Sequence, residues 1–180
     1  MSIQVDTSDV LVQALLQDQL DVVLGRIPGG ARAEELLFDS LGEEELCVVA
    51  GAQHPMANAT ELGWAEMQNM TWVLQQHPSP MRSIINQVFH NARVDIPSSI
   101  VETTSIMTLL SLVQQTDMLG VTPLSVVEDY PGRHLLAVLP IKFEARLPPY
   151  GLITRRHRIQ SSAMQAFMNS VKSEQGVIRK

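Results

Sequence analysis

Cysteine is nearly absent from this sequence. Cys47 is the only one in 180 residues, so no intramolecular disulfide can form and nothing points to an oxidising compartment. It lies in the apolar run Leu46-Cys-Val-Val-Ala50 and reads as a small core residue. A nucleophilic thiol needs an activating base, and none is near it in sequence. Positive charge is also in short supply. Thirteen Lys and Arg face nineteen Asp and Glu, for a net charge of −6, whereas a duplex-DNA binder presents a basic face to the phosphates. The one dense basic run, Arg155-Arg156-His157-Arg158, reads as a solvated turn before the last helix. Long apolar runs are missing too. No segment approaches the roughly 18–20 residues that cross a bilayer. The stretch Met1-Ser-Ile-Gln-Val-Asp-Thr7 has no basic region followed by an apolar run, so no signal peptide is expected. These absences predict a soluble, cytoplasmic protein that does not grip DNA through this chain.

The familiar catalytic signatures are absent as well. The five histidines, His54, His77, His90, His134 and His157, include no pair at metal-ligand spacing, and no CxxC occurs. There is no nucleophile elbow, P-loop or dinucleotide-binding glycine motif. The acidic run Glu43-Glu-Glu45 reads as a solvated turn. No His or carboxylate is obviously placed as a general base. The sequence therefore calls for no metal, no cofactor and no enzyme. Met81, Met107, Met164 and Met168 read as core or interface filler.

What is present is a foldable α/β pattern, 45% hydrophobic and 18% charged. Ser2–Asp6 reads as a short strand. Thr7, Ser8 and Asp9 offer N-cap oxygens to a helix whose apolar face is Val10, Leu11, Ala14 and Leu15. Leu20–Gly25 reads as a strand buried on both faces. Further strands are expected at Glu35–Asp39, Glu45–Ala50, Thr71–Gln75, Ser98–Thr103, Met118–Thr122, His134–Leu139 and Pro148–Arg155. Between them, Ser79 and Pro80 start a helix with the stripe Met81, Ile84, Ile85, Val88, Phe89. Thr104 or Ser105 caps another with Ile106, Leu109, Leu110 and Val113, and Ser161 caps the last. The alternation predicts a mostly parallel sheet with helices on its faces.

Three polar clusters fall at strand ends or helix starts, where open α/β sheets present groups to small ligands. Gly25-Arg26 ends a strand, and its guanidinium suits an anionic or polyhydroxylated ligand or a salt bridge. Ser79 and Arg82 stand at a helix start, where free N–H groups favour an anion, or where the serine caps alone. Glu102-Thr-Thr-Ser105 and Gly120-Val-Thr-Pro123 are both strand-end segments with hydroxyls; if their strands are adjacent, Thr103, Thr104 and Thr122 face one cleft, although capping and turn formation also account for these residues.

The order of these segments resembles the effector-binding domain of LysR-type transcriptional regulators. The matching pieces are residues 11–26, residues 45–57 with His54-Pro-Met-Ala57, Trp72-Val-Leu74, the helix after Pro80, Glu102-Thr-Thr-Ser105, and residues 112–125 with Leu119-Gly-Val-Thr-Pro123. The resemblance covers nearly the whole chain. It implies a two-lobed, periplasmic-binding-protein-like α/β fold, with a first lobe over 1–72, a second over 73–147, and a return strand and C-terminal helix over 148–180. It also implies that the winged helix-turn-helix is absent and that the first lobe lacks its opening strand and helix, the chain entering near Ser2–Val5.

The implied function is sensing without turnover. A small polar or anionic effector, a carboxylate or sugar, would bind between the lobes at Thr104, Ser105, Thr122, Pro123, Gly25, Arg26, Ser79 and Arg82. Copies would self-associate, helix 8–18 of one against helix 81–89 of another. DNA would be bound only through the missing N-terminal part. A free-standing solute-binding module of the same fold is the alternative.

Overall fold

The structure is a computed structural model that describes residues 2–143 and 146–178. By its contacts the chain forms two compact units, residues 2–43 with 148–178, and residues 44–147. The sequence placed the first boundary at 72. Strand β3 (Leu46–Gly51) instead pairs with β6 (Leu119–Pro123) and β7 (Leu136–Val138), which puts residues 44–72 in the second unit.

The first unit holds α1 (Ser8–Leu16), β1 (Val23–Gly25), β2 (Leu36–Gly42), β8 (Tyr150–Arg155) and α6 (Ser162–Ile178). Its sheet has the order β1-β8-β2 and is antiparallel throughout, not parallel as the alternation suggested. Helix α1 buries Leu11, Val12, Ala14 and Leu15. Leu11, Val12 and Leu15 pack on Val23, Leu36 and Ile153, whereas Val10 is exposed. The helix ends where Asp18 turns left-handed, φ 64°, a conformation that Asp tolerates better than most residues. The expected strand at Ser2–Asp6 is not formed; Ile3 and Val5 are exposed and make no ladder. The strand expected at Leu20–Gly25 begins only at Val23, and Leu24 is 51% exposed, so β1 is buried on one face only. Ser161 Oγ accepts from the Met164 N–H at 3.2 Å and starts α6 as expected.

The basic run of the sequence is consumed within this unit. Arg155 and Arg158 pair with Asp18, Arg158 also reaches Asp21 at 2.5 Å, and Arg156 donates to the Glu34 and Leu36 carbonyls at 2.9 and 3.2 Å. The Arg155 hydrogen bond, more than its charge, holds the Asp18 carboxyl below the usual carboxylate range.

The second unit carries a five-stranded sheet in the order β5-β4-β6-β3-β7, with β4 (Trp72–Leu74) and β5 (Ile100–Glu102) added to the strands above. Strand β4 runs parallel to β5 and β6, and β3 runs antiparallel to β6 and β7, so this sheet is mixed. Side chains alternate strictly across it. Leu46, Val48, Ala50, Trp72, Leu74, Leu119 and Val121 join Met81, Ile85 and Phe89 of α3 (Pro80–Asn91). Cys47, Val49 and Val73 join Leu109, Leu110 and Val113 of α4 (Ile106–Gln115). Gly120 faces α4 as well: a Cβ there would stand 2.8 Å from Leu109 Cδ2, so only glycine lets the helix lie this close. The α3 side is aromatic. Trp64 of α2 (Trp64–Met67) meets Phe89 and Phe143 edge to face at 5.2 and 5.1 Å, and Trp72 Nε1 donates to the Met67 carbonyl at 3.0 Å. Of the methionines read as filler, Met81 and Met164 are buried, but Met107 is 63% exposed.

Candidate functional site

Helix α3 begins where the sequence places it. Ser79 is its N-cap, buried to 2%, and its Oγ accepts from the Arg82 N–H at 3.1 Å, with Pro80 at the first helical position. Helix α4 is capped by Ser105, whose Oγ accepts from the Thr108 N–H at 3.2 Å. Thr104 makes no cap and is exposed. Thr103 Oγ1 accepts from the Ser105 N–H at 3.1 Å and so shapes the turn into the helix.

Both helices follow parallel strands, α3 after β4 and α4 after β5, so their N-termini stand at the carboxyl edge of the same sheet. Strand β6 ends there too. Val73 pairs with Gly120, and that register, carried two residues further, sets Gln75 level with Thr122. Pro123 is buried at the end of β6, where it opens α5 (Leu124–Asp129). Six predicted residues, Ser79, Arg82, Thr104, Ser105, Thr122 and Pro123, therefore share one edge of one sheet. Gly25 and Arg26 belong to the first unit. There Arg26 is engaged locally: its N–H reaches Ser8 Oγ at 3.1 Å, its Nε donates to the Pro148 carbonyl at 2.9 Å, and its guanidinium lies 5.9 Å from the Tyr150 ring centroid. Gly25 has Ser8 Oγ 3.0 Å from where a Cβ would stand.

Two features of the edge were not legible in the motifs. Thr122 is wholly buried, and its Oγ1 has no hydrogen-bond partner. It shares a register position with Cys47, on the face that α4 covers, so it does not stand open beside the exposed Thr104. The Cys47 Sγ lies 3.5 Å from the Thr122 carbonyl; burial, aided by Glu45 and Glu128, pushes its thiol up to about 12. Arg82, in turn, is a buried cation with several ligands. Its Nη1 donates to the Gln75 carbonyl at 3.1 Å and to Glu102 Oε1 at 2.9 Å, and its Nε donates to Asn86 Oδ1 at 3.3 Å. The Asn86 contact, one turn along the helix, could have been read from spacing. The Glu102 contact needs the sheet.

Among the described residues no group of three His, Cys, Asp or Glu side chains could hold a metal, and no helix is long and apolar enough to cross a membrane. A cavity of about 330 Å³, lined by Glu61, Leu62, Trp64, Val88 and Ile141 among others, lies at the C-terminal end of α3, away from this edge.

Comparison with known proteins settles the kinship. The sequence model of the LysR substrate binding domain matches residues 1–176. The chain belongs to the LysR substrate-binding domain family. A curated relative, the HTH-type transcriptional regulator GbpR of Azospirillum brasilense, is 25% identical over 174 residues, which cover 96% of this chain and 51% of that protein. The chain thus spans about half the length of the curated relatives it matches. Among solved structures, the CcmR regulatory domain of Synechocystis in complex with 2-PG superposes with a TM-score of 0.80 at 16% identity, covering 97% of this chain and 82% of that one. The effector binding domain of QuiR in complex with shikimate gives 0.74 at 17% identity, covering 94% and 78%. These LysR-type neighbours carry the fold, α/β and periplasmic-binding-protein-like. The family comprises effector-binding regulatory domains and not enzymes.

Proposed function

We propose that this chain is the sensing part of a LysR-type transcriptional regulator, and that the carboxyl edge of its five-stranded sheet is one wall of the effector site. The observation that carries this reading is the edge itself. Two capped helix N-termini, the buried guanidinium of Arg82 and the unpartnered Thr122 Oγ1 lie along it. Free N–H groups and the helix dipole favour a ligand with negative charge or many oxygens. An orphaned buried hydroxyl gains a hydrogen bond when a ligand oxygen or a trapped water reaches it. The effector is accordingly a small polar or anionic metabolite, of the carboxylate or sugar class. The neighbours solved with shikimate and 2-PG support that class.

Ser105 and Thr104 present hydroxyls, Pro123 shapes the end of β6, and Ser79 and Arg82 set the anion-favouring corner. Gly25 and Arg26 are the contribution proposed for the first unit. Effector binding biases one arrangement of the protein over another, in proportion to its unequal affinity for the two. DNA is bound by a helix-turn-helix outside this chain, the domains self-associate, and the protein works in the cytoplasm.

The test is calorimetry of the full-length regulator with a metabolite panel, repeated on Thr122→Val. That variant keeps the shape of the side chain and removes only the unpartnered oxygen. At least a tenfold loss of affinity for the panel compound that binds is expected, in line with about 1.5 kcal/mol for a hydrogen bond to a charged group. Unchanged affinity removes Thr122 from the site.

A further inference from the structure

Arg82 and Glu102 are unequal partners. The guanidinium side chain is 7% exposed and held from three directions, by the Gln75 carbonyl, Asn86 Oδ1 and Glu102 Oε1. The Glu102 side chain is 43% exposed and stands at the end of β5, immediately before the Thr103–Ser105 turn that starts α4. One half of the pair is fixed and the other borders water. Withdrawing Glu102 leaves Arg82 attached to α3 and to the end of β4, but with a buried cation short of an anion, a costly state unless another anion arrives.

We infer that Glu102 is a built-in competitor, a carboxylate that occupies the anion position on Arg82 and that an anionic effector displaces. This deepens the proposed function and rests on the reading of this edge as a binding wall. Coulomb attraction and charge-assisted hydrogen bonds are the same for a glutamate side chain and for a free carboxylate or phosphate. The incoming anion therefore exchanges one ion pair for another, and what it gains beyond that comes from the N–H groups of the two helix starts. Released, Glu102 no longer ties the residues that lead into α4 to α3, so effector exchange at Arg82 and the position of the α4 start are linked. The device also selects. A neutral sugar cannot replace Glu102 on Arg82, whereas a carboxylate or phosphate can, so anionic members of the effector class are favoured over neutral ones.

The probe is inorganic phosphate, titrated into the 180-residue chain at constant ionic strength and followed by amide and arginine side-chain NMR. Wild type, Glu102→Gln and the control Glu45→Gln are compared; Glu45 is an exposed carboxylate at the start of β3, on the same edge. Phosphate is expected to shift the Arg82 side chain and the amides of 79–82 and 102–105 in wild type. It should bind Glu102→Gln roughly three- to tenfold more tightly, the range set by removing one partly exposed charged partner, and bind Glu45→Gln as it binds wild type. Equal affinity in wild type and Glu102→Gln, with shifts at this edge, overturns the competition and leaves the binding wall standing. An equal gain in Glu45→Gln overturns it too, because the effect is then one of general charge. No shifts at this edge in any of the three overturn both the competitor and the reading on which it rests.

Discussion

The two units are held together by different physics. The second is organised around buried side chains: Trp72, Phe89, Met67 and Leu119 are wholly buried, and both faces of its sheet are covered by helices. Among the described residues, the main apolar cluster of the first is small, built on Leu11, Val12, Leu15, Val23, Leu36 and Ile153. Around that core it is laced by charge: Arg155 and Arg158 to Asp18, Arg158 to Asp21, Arg156 to two carbonyls, and Lys172 to Asp39. Apolar burial is insensitive to salt and to mild acid, and exposed ion pairs are sensitive to both. The difference teaches that one chain can carry a stiff half and a condition-dependent half, with six of the eight expected site residues on the stiff one.

The largest expected effect lies in the second unit. Trp72→Ala removes an indole packed against Phe89 at 5.5 Å and one of the two N–H groups that donate to the Met67 carbonyl, the other being that of Met70. It should cost about 3–5 kcal/mol in urea unfolding. A loss below about 1 kcal/mol would mean that the aromatic cluster does not hold this unit. Next comes Thr122→Val, which sharpens the contrast between stability and function inside the stiff unit. Because Oγ1 has no partner, its removal should raise stability by about 1 kcal/mol, although the same change is expected to weaken effector binding. A destabilisation would show that the hydroxyl is satisfied in the folded protein.

The smallest effect belongs to the charged unit. Asp18 is held below the ordinary carboxylate range, chiefly by its hydrogen bond from Arg155. Its contribution is present above the carboxylate value of the unfolded chain and fades as pH falls through the lowered folded value. The protection factors of the β1 and β8 amides, which remove the intrinsic pH dependence of exchange, should therefore fall at pH 3 relative to pH 6, with those of β3 and β6 unaffected. Asp18→Asn should remove that difference. Equal acid responses in both units would break the comparison.

The sequence shows its helices better than its strands, for local reasons. Ser79-Pro80 followed by an apolar stripe is written within a dozen residues, and the structure starts α3 there. Ser105 likewise caps α4 from within its own turn. Strand pairing is not local. Leu20–Gly25 reads as doubly buried because every apolar run does, and only the β1-β8 pairing shows that Leu24 faces outward. The boundary between units was misplaced for the same reason. Nothing within residues 44–72 reveals that β3 pairs with β6 and β7, where Leu46 meets Pro123 and Val49 meets Val138. At the candidate site, the gathering of helix starts at one edge was legible, because parallel βα units put them there. The burial of Thr122 and the tie between Arg82 and Glu102 were not, since each depends on neighbours contributed by other strands and helices.

The single cysteine has a practical consequence. With its thiol buried and pushed up to about 12, Cys47 stays protonated, and so unreactive, at neutral pH. The natural chain is therefore close to a blank background for thiol chemistry. A cysteine introduced at an exposed position such as Ser111 can carry a dye or spin label with little competition from the native residue, so the surroundings of α4 can be monitored while candidate effectors are added.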